Sequence, residues 1–317
     1  MGHCRFRATI RERRGPSLGM TGLAELHLHL DGSLRMSTVR ELAARAGKEV
    51  PKDLLFRRGM GLADALSKFA FTLSLLQQTA EVRRIAAEIC EDALANGVSA
   101  LEVRFAPQLH AGASEAAIVD AALEGLAGRA GLILCGLYGE DPAVLEGHVE
   151  LARTRKGVVA IDLAGGPSPA QAFRLSDYRK PFTRAKELGI GRTVHASEGR
   201  PPEEIRIAVE ELHAQRIGHG TTLLEDRGVL DLVIERGVTI EACPTSNVHT
   251  GIFEDVSKHP LPRWLELGVR ASICADNTLL SDVSTAQEFE RAARIPGMTP
   301  ELLERARQNG HKARFTR

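Results

Sequence analysis

The segment "AELHLHLDGSL" at residues 24–34 places His27 and His29 one residue apart in a leucine-rich run and follows them with Asp31 and Gly32. Side chains alternate along an extended strand, so the two imidazoles share one face and Leu26, Leu28 and Leu30 the other. Imidazoles about 6 to 7 Å apart at their base can converge on one ion, and imidazole is the commonest protein ligand for zinc. Taken alone, the stretch also fits a pair of hydrogen-bonded core histidines. Related residues recur downstream: His195 and Glu198 in "VHASEG", His219 in "RIGHG", Asp276 and Asn277 in "SICADN". Three histidines and a carboxylate make a donor set suited to Zn²⁺ or a similar divalent ion. A bound ion of that kind lowers the pKa of its water toward about 7, so hydrolysis at an electrophilic carbon is the natural chemistry. Glu198, three residues past His195, can face the same space as a proton shuttle, and His219 can hold the attacking oxygen.

Positioning such a set needs several strand ends at one mouth. Short apolar runs bounded by glycine, proline or polar clusters predict eight strands, at 23–30, 99–107, 131–139, 157–165, 189–198, 214–222, 237–245 and 268–276. Amphipathic stretches separate them. One is 79–97, with apolar positions Val82, Ile85, Ala86, Ile89 and Leu94 and a closing glycine. Alternating strands and helices over this length predict a closed (β/α)₈ barrel. An open doubly wound sheet lacks support, because no GxGxxG opens a helix after the first strand. In a barrel the site lies at the C-terminal strand ends. His27 and His29 end strand one, His195 and Glu198 strand five, His219 strand six, and Asp276 with Asn277 strand eight. The gap at 37–98 holds extra helices, and "LADALSKFAFTLSLL" reads equally as a lid over the mouth or as a helix pair against the barrel side. His3, His110, His148, His213, His259 and His311 fall in tails, loops or helices, while His249 lies near the mouth without an assigned role.

Composition sets the outer bounds. The 317 residues carry 41 basic and 41 acidic side chains and are 43% hydrophobic, as in a soluble globular protein with a substantial core. Nothing in this balance recruits nucleic acid or a membrane surface, and no apolar run approaches a bilayer span. Five scattered cysteines with no CxxC pair argue against a disulfide framework and a thiolate metal site, and predict reduced thiols in a cytoplasm. The arginine-rich stretch before Met20 lacks the apolar core of an export signal. Residues 1–20 read as a disordered extension, and 21–317 as a single barrel domain.

The motifs "HLHLDGSL", "VRFAP", "DLAGG", "VHASEG", "RIGHG", "CPTSN" and "ADN", in this order over about residues 23–310, resemble the adenosine deaminase family of zinc-dependent aminohydrolases. The resemblance implies one zinc per chain, held by His27, His29, His195 and Asp276. It implies hydroxide addition at C6 of a purine while Glu198 protonates N1, with His219 and Asp276 orienting and activating the water. It also implies that Asp31 bonds a ribose 5′-hydroxyl, that His29 faces the substrate beside it, and that the Gly165 backbone donates to N3. Three places, five residues in all, depart from the family pattern. Asn277 and Thr278 replace an aspartate and a proline, and we expect the Asn277 amide to keep the contact to N7 without needing a proton. Gly166 and Pro167 stand where acidic residues often follow Gly165. Ser197 stands where glycine is usual. The chain stops soon after "NGHKARF", which implies shortened packing of the C-terminal helix.

The leading expectation is deamination of adenosine or 2′-deoxyadenosine. Adenine or a modified 6-aminopurine is the near alternative. A catalytically silent purine-binding barrel, or a metal-dependent hydrolase acting on another bond, remains the alternative of a different class. AMP is less favoured, since no basic cluster stands at the strand ends; Arg104 and Arg200 are the loop arginines that could serve a phosphate.

Overall fold

Each of the eight apolar runs forms a strand, somewhat shorter than the run, with the second strand starting one residue before its own. The structure, a computed structural model, describes residues 22–168 and 170–316; the extension expected over 1–20 lies outside the described residues. The strands are β1 (Leu23–His29), β2 (Val98–Phe105), β3 (Gly131–Leu137), β4 (Val158–Ala164), β5 (Gly191–Ala196), β6 (Arg216–His219), β7 (Thr239–Ala242) and β8 (Arg270–Ile273). They run parallel in sequence order, each bonded to the next. Closure comes just beyond β8. His29 N donates to Asp276 O at 2.8 Å, and Asp276 N donates to His27 O at 2.9 Å. The expected metal carboxylate is therefore also the residue that closes the (β/α)₈ barrel.

Helices α1 (Met36–Arg45), α2 (Leu62–Leu73) and α3 (Thr79–Ala95) fill the long gap between β1 and β2. Then α4 (Glu115–Leu126), α5 (Pro142–Thr154), α6 (Arg179–Glu187), α7 (Glu203–Glu210) and α8 (Arg227–Arg236) alternate singly with strands. Two short helices, α9 (Pro244–His249) and α10 (Leu261–Glu266), lie between β7 and β8, and α11 (Thr285–Ala292) and α12 (Pro300–Ala313) follow β8. Local chemistry sets several boundaries: Ser114, Asp226, Ser284 and Thr299 side chains accept from backbone N–H groups of the first turns of α4, α8, α11 and α12. Among the described residues no helix is long and apolar enough to cross a membrane.

Two pattern-based expectations are corrected. Val82, Ile85, Ala86 and Ile89 of α3 are buried as predicted, but Leu94 is 73% exposed, because it stands on the last turn beyond the face that α3 presents to the core. On β1, Leu28 and Leu30 join the main core, whereas Leu26 packs with Cys243 and Cys274. The β1–β2 register shifts between Glu25 and Leu28, so strict alternation fails there.

The C-terminal segment is not deficient in packing. Helix α12 has 14 residues, and the chain after it runs to the end of the barrel remote from the mouth. There Phe315 packs with Ile133, Val159 and Ala160, and lies 3.9 Å beneath the Arg216 guanidinium. Its N–H donates to Glu102 Oε1 at 2.6 Å, and Arg216 Nη1 donates to Ala313 O at 3.1 Å.

Candidate active site

His27 is fully buried, and its Nδ1 donates to Glu241 Oε2 at 2.6 Å. With the proton on Nδ1, Nε2 carries a lone pair, and that atom has no hydrogen-bond partner. His195 is held alike: Nδ1 faces Asp162 Oδ2 at 3.1 Å, and Nε2 lies 3.2 Å from His29 Nε2. Asp276 Oδ1 is 3.5 Å from His27 Nε2 and 3.4 Å from His29 Nε2. Ligands about 2.0–2.1 Å from a common centre in tetrahedral array are about 3.3 Å apart. Three of the six spacings among these groups thus match those of ligands that share a small divalent ion. Burial pushes the His27 and His29 imidazoles well below their ordinary range, which keeps both in the neutral form a metal requires.

His219 lies close enough to be mistaken for a ligand: its ring, with those of His27 and His195, presents ligand atoms within 4.8 Å of one another. Its tautomer differs. Asn247 Nδ2 donates to His219 Nδ1 at 3.1 Å, which leaves the proton on Nε2, 3.8 Å from Glu198 Oε2. A protonated Nε2 donates a hydrogen bond instead of binding an ion. Burial lowers this imidazole to about 3, so it remains neutral. Glu198 is buried and its carboxyl is pushed above the usual range, mainly by desolvation, as a proton donor near neutral pH requires. Cys243 also comes near His27 and Asp276, but its thiol donates to the Glu241 carbonyl at 3.7 Å.

The strand ends turn sharply at this mouth. Ser197, His219 and Asp276 have φ of 56°, 67° and 65°, the left-handed region that side chains with a Cβ avoid. Backbone strain of this kind gathers where function needs a side chain aimed in one direction. Ser197 holds its turn with two bonds: its N–H donates to Glu204 Oε2 at 2.7 Å and its hydroxyl to Pro201 O at 2.8 Å.

Beneath the histidines is a layer of buried charge that the motif reading missed. Glu241 accepts from His27, from Arg104 Nη2 at 2.8 Å and from Thr193 Oγ1 at 3.0 Å, and pairs with Arg216 Nε at 2.7 Å. Arg104 Nη1 reaches Asp162 Oδ2 at 2.8 Å. Burial alone would raise the Asp162 carboxyl, but the adjoining His195 and Arg104 charges outweigh it and hold it well below the usual carboxylate range. Arg104, named with the loop arginines although it falls within the run expected at 99–107, lies inside β2 with both its carboxylate partners buried, and is removed from any role in binding phosphate. A signal was present: Glu25, Glu102, Arg104, Asp162, Arg216 and Glu241 interrupt otherwise apolar strands, and a charge so placed needs a buried partner.

Above the histidines opens a cavity of about 390 Å³, within the range of small-molecule sites. His29, Asp31, Gly165, His195, Glu198, His219, Asp276 and Asn277 all line it. Asp31 is buried, its Oδ1 has no partner, and burial raises its carboxyl to about 7. Asn277 rests its Oδ1 against Gly32; a Cβ on residue 32 would fall 1.9 Å from that oxygen, so the glycine of "DGS" makes room for it. The choice left open for residues 62–76 resolves as a lid made of a single helix: Leu62, Ala65, Leu66, Phe69 and Leu73 of α2 form the apolar wall. His249 acquires a structural part here, since its carbonyl accepts from Met60 N at 2.9 Å and ties the segment leading to the lid to α9.

A barrel that seats converging acceptors at its mouth, a buried acid beside them and an apolar lid above belongs to the hydrolytic aminohydrolases built on the (β/α)₈ fold. The sequence model of the family described as "Adenosine deaminase" matches residues 22–317, and the chain belongs to that family. It is 33% identical over 310 residues to the adenosine deaminase of Clostridium acetobutylicum, covering 92% of each chain. Against a probable adenosine deaminase of Dictyostelium discoideum it is 35% identical over 289 residues, 85% of this chain, and spans 37% of that protein's length. Among solved structures, adenine deaminase from Arthrobacter aurescens has the same fold, with a TM-score of 0.85 at 24% identity, over 94% of this chain and 95% of that one.

Proposed function

We propose that the chain hydrolytically deaminates a 6-aminopurine nucleoside, adenosine or 2′-deoxyadenosine in the first instance, to the 6-oxopurine and ammonia. The observation that carries this reading is the approach of four groups, with His29 Nε2 3.2 Å from His195 Nε2 and 3.4 Å from Asp276 Oδ1, and His27 Nε2 3.5 Å from Asp276 Oδ1, beside buried Glu198. These residues would hold one zinc, which supplies a water of lowered pKa. Glu198 donates its proton to purine N1 as oxygen adds to C6, which draws electron density from the ring as the C6 carbon becomes tetrahedral. His219, through its Nε2–H, holds the attacking oxygen on the side facing Glu198. Asp276 accepts a proton from that oxygen and passes it to the amino group, which leaves as ammonia, and the water's other proton restores the acid form of Glu198. Water is consumed and no other reactant is required.

Asp31 supports a nucleoside over free adenine, because its unpaired, buried Oδ1 gains an acceptor role toward a sugar hydroxyl. Asn277 stands beside Asp276 to donate to N7, and the Gly165 backbone to N3. The decisive experiment is a panel assay for ammonia release from adenosine, 2′-deoxyadenosine, adenine and modified 6-aminopurines, with and without chelator. Chelator-sensitive turnover of the nucleosides is expected. Zinc-loaded protein that releases no ammonia from any of them would leave the silent purine-binding barrel in its place.

A further inference from the structure

Arg200 stands two residues beyond Glu198, in the loop that follows β5. Its Nε faces Glu204 Oε1 and Oε2 at 2.8 and 2.9 Å, and its guanidinium carbon lies 5.5 Å from the centre of the Tyr138 ring. Its Nη1 and Nη2 are buried and have no hydrogen-bond partner. Among the described residues these four N–H donors make no hydrogen bond of ordinary geometry, and the neighbouring Tyr138 hydroxyl is the polar group closest in influence on them, in a setting where buried polar groups almost always find a partner. The cavity wall between Arg200 and the substrate space is thin. Tyr138 and Gly166 line that cavity, and a Cβ on residue 166 would sit 3.4 Å from Arg200 Nη1 and 2.7 Å from Leu62 Cδ2 of the lid. With glycine at 166, no side chain of that residue separates Nη1 from the cavity. The adjoining Gly165, Gly166 and Pro167 carry no acid that could neutralise Arg200, so Glu204 and the more distant Glu198 are the carboxylates whose charges act on it.

Resting on the deaminase reading above, we propose that Arg200 is a specificity residue that binds an anionic group, phosphate or carboxylate, carried by the sugar of the 6-aminopurine substrate. A guanidinium matches either oxyanion with paired N–H donors. The anion passes beneath Leu62 along the edge left open by Gly166, while the purine keeps its place against Glu198 and Asn277. The bond broken is the same C6–N bond, and water remains the only co-reactant.

The test compares kcat/KM of zinc-loaded protein for adenosine with that for 2′-, 3′- and 5′-AMP and adenosine 5′-carboxylic acid. The phosphate and carboxylate arms distinguish the two oxyanions. At least one anionic substrate is expected to exceed adenosine tenfold or more. Arg200→Gln should lower that ratio at least tenfold, and Arg200→Lys should restore part of it. Glu204→Gln keeps an acceptor for Arg200 and Ser197 while removing the opposing charge, so it should raise the ratio. Adenosine turned over as fast as every anionic member, or Arg200→Gln and Glu204→Gln both leaving the ratio unmoved, would overturn the proposal. Absence of turnover across the whole panel would instead overturn the deaminase reading on which it rests.

Discussion

His27 and Glu241 are joined across the barrel, from β1 to β7, by a buried 2.6 Å bond between Nδ1 and Oε2. The carboxylate fixes the tautomer that leaves Nε2 free, and Arg104 and Arg216 hold the carboxylate in turn. Replacing Glu241 with Gln keeps the shape and removes the charge, so zinc affinity should fall by about 10- to 100-fold. Competition against a chromophoric chelator reads it directly; an unchanged affinity would show that His27 needs no such partner.

His27→Ala and Glu198→Gln should separate metal from proton transfer. The first removes an acceptor whose lone pair has no other use and is expected to lose zinc and activity together. The second should retain zinc, by elemental analysis, while ammonia release drops by at least about a hundredfold, the low end of the general acid contribution. Zinc and turnover both surviving in His27→Ala would remove the central claim.

Asn277→Ala should lower kcat/KM for the preferred purine by about tenfold, the value of one hydrogen bond to the ring, with zinc content unchanged. The residue is buried beside Asp276 at the cavity wall. No change in the specificity constant would mean that N7 is recognised elsewhere or not at all.

Glu288 on α11 accepts from Thr245 N at 2.6 Å, at the start of α9, and burial raises its carboxyl from 4.5 to about 7. A folded-state value above the unfolded one means that the unfolded chain releases this proton first. The group's contribution to stability is therefore greatest below about 4.5 and is lost as pH rises toward 7, by up to about 3 kcal/mol. Glu288→Gln cannot ionise. It should gain on the parent protein between pH 5 and pH 8 in urea unfolding, and a constant difference between the two would refute the assignment.

Phe315→Ala should destabilise the fold by about 3 kcal/mol, the loss of a packed aromatic ring and its contact with the Arg216 guanidinium. Thermal unfolding measures it. A melting temperature within a degree of the parent's would mean that the barrel floor does not depend on this ring.

Much of this architecture was legible because strand residues confined to one face announce it. Eight apolar runs became eight strands, and His29, His195, Glu198, His219, Asp276 and Asn277 met around one cavity, with His27 beneath it beside Asp276, as their strand-end positions required. What escaped was whatever depends on partners distant in sequence. Glu241 and Asp162 drew no reading from the sequence, because the Arg104 that pairs with both is distant from them along the chain. Leu26 left the leucine face because a register shift, invisible in an HxH pattern, falls between Glu25 and Leu28. The lid could not be told from a flanking helix pair, since an apolar face looks the same whether it covers a cavity or a neighbouring helix.

The contacts of Arg216 carry a consequence for how the protein is made. This side chain joins Glu241, the partner of His27, to the Ala313 carbonyl and the Phe315 ring. A nascent chain on the ribosome can form β1 to β8 before residues 313–315 emerge from the exit tunnel, but until then the arginine that steadies Glu241 lacks its floor. Competence to capture an ion should accordingly come late in synthesis, after the barrel is sealed from below. A released chain cut after residue 312 should then grip zinc more weakly than the full chain.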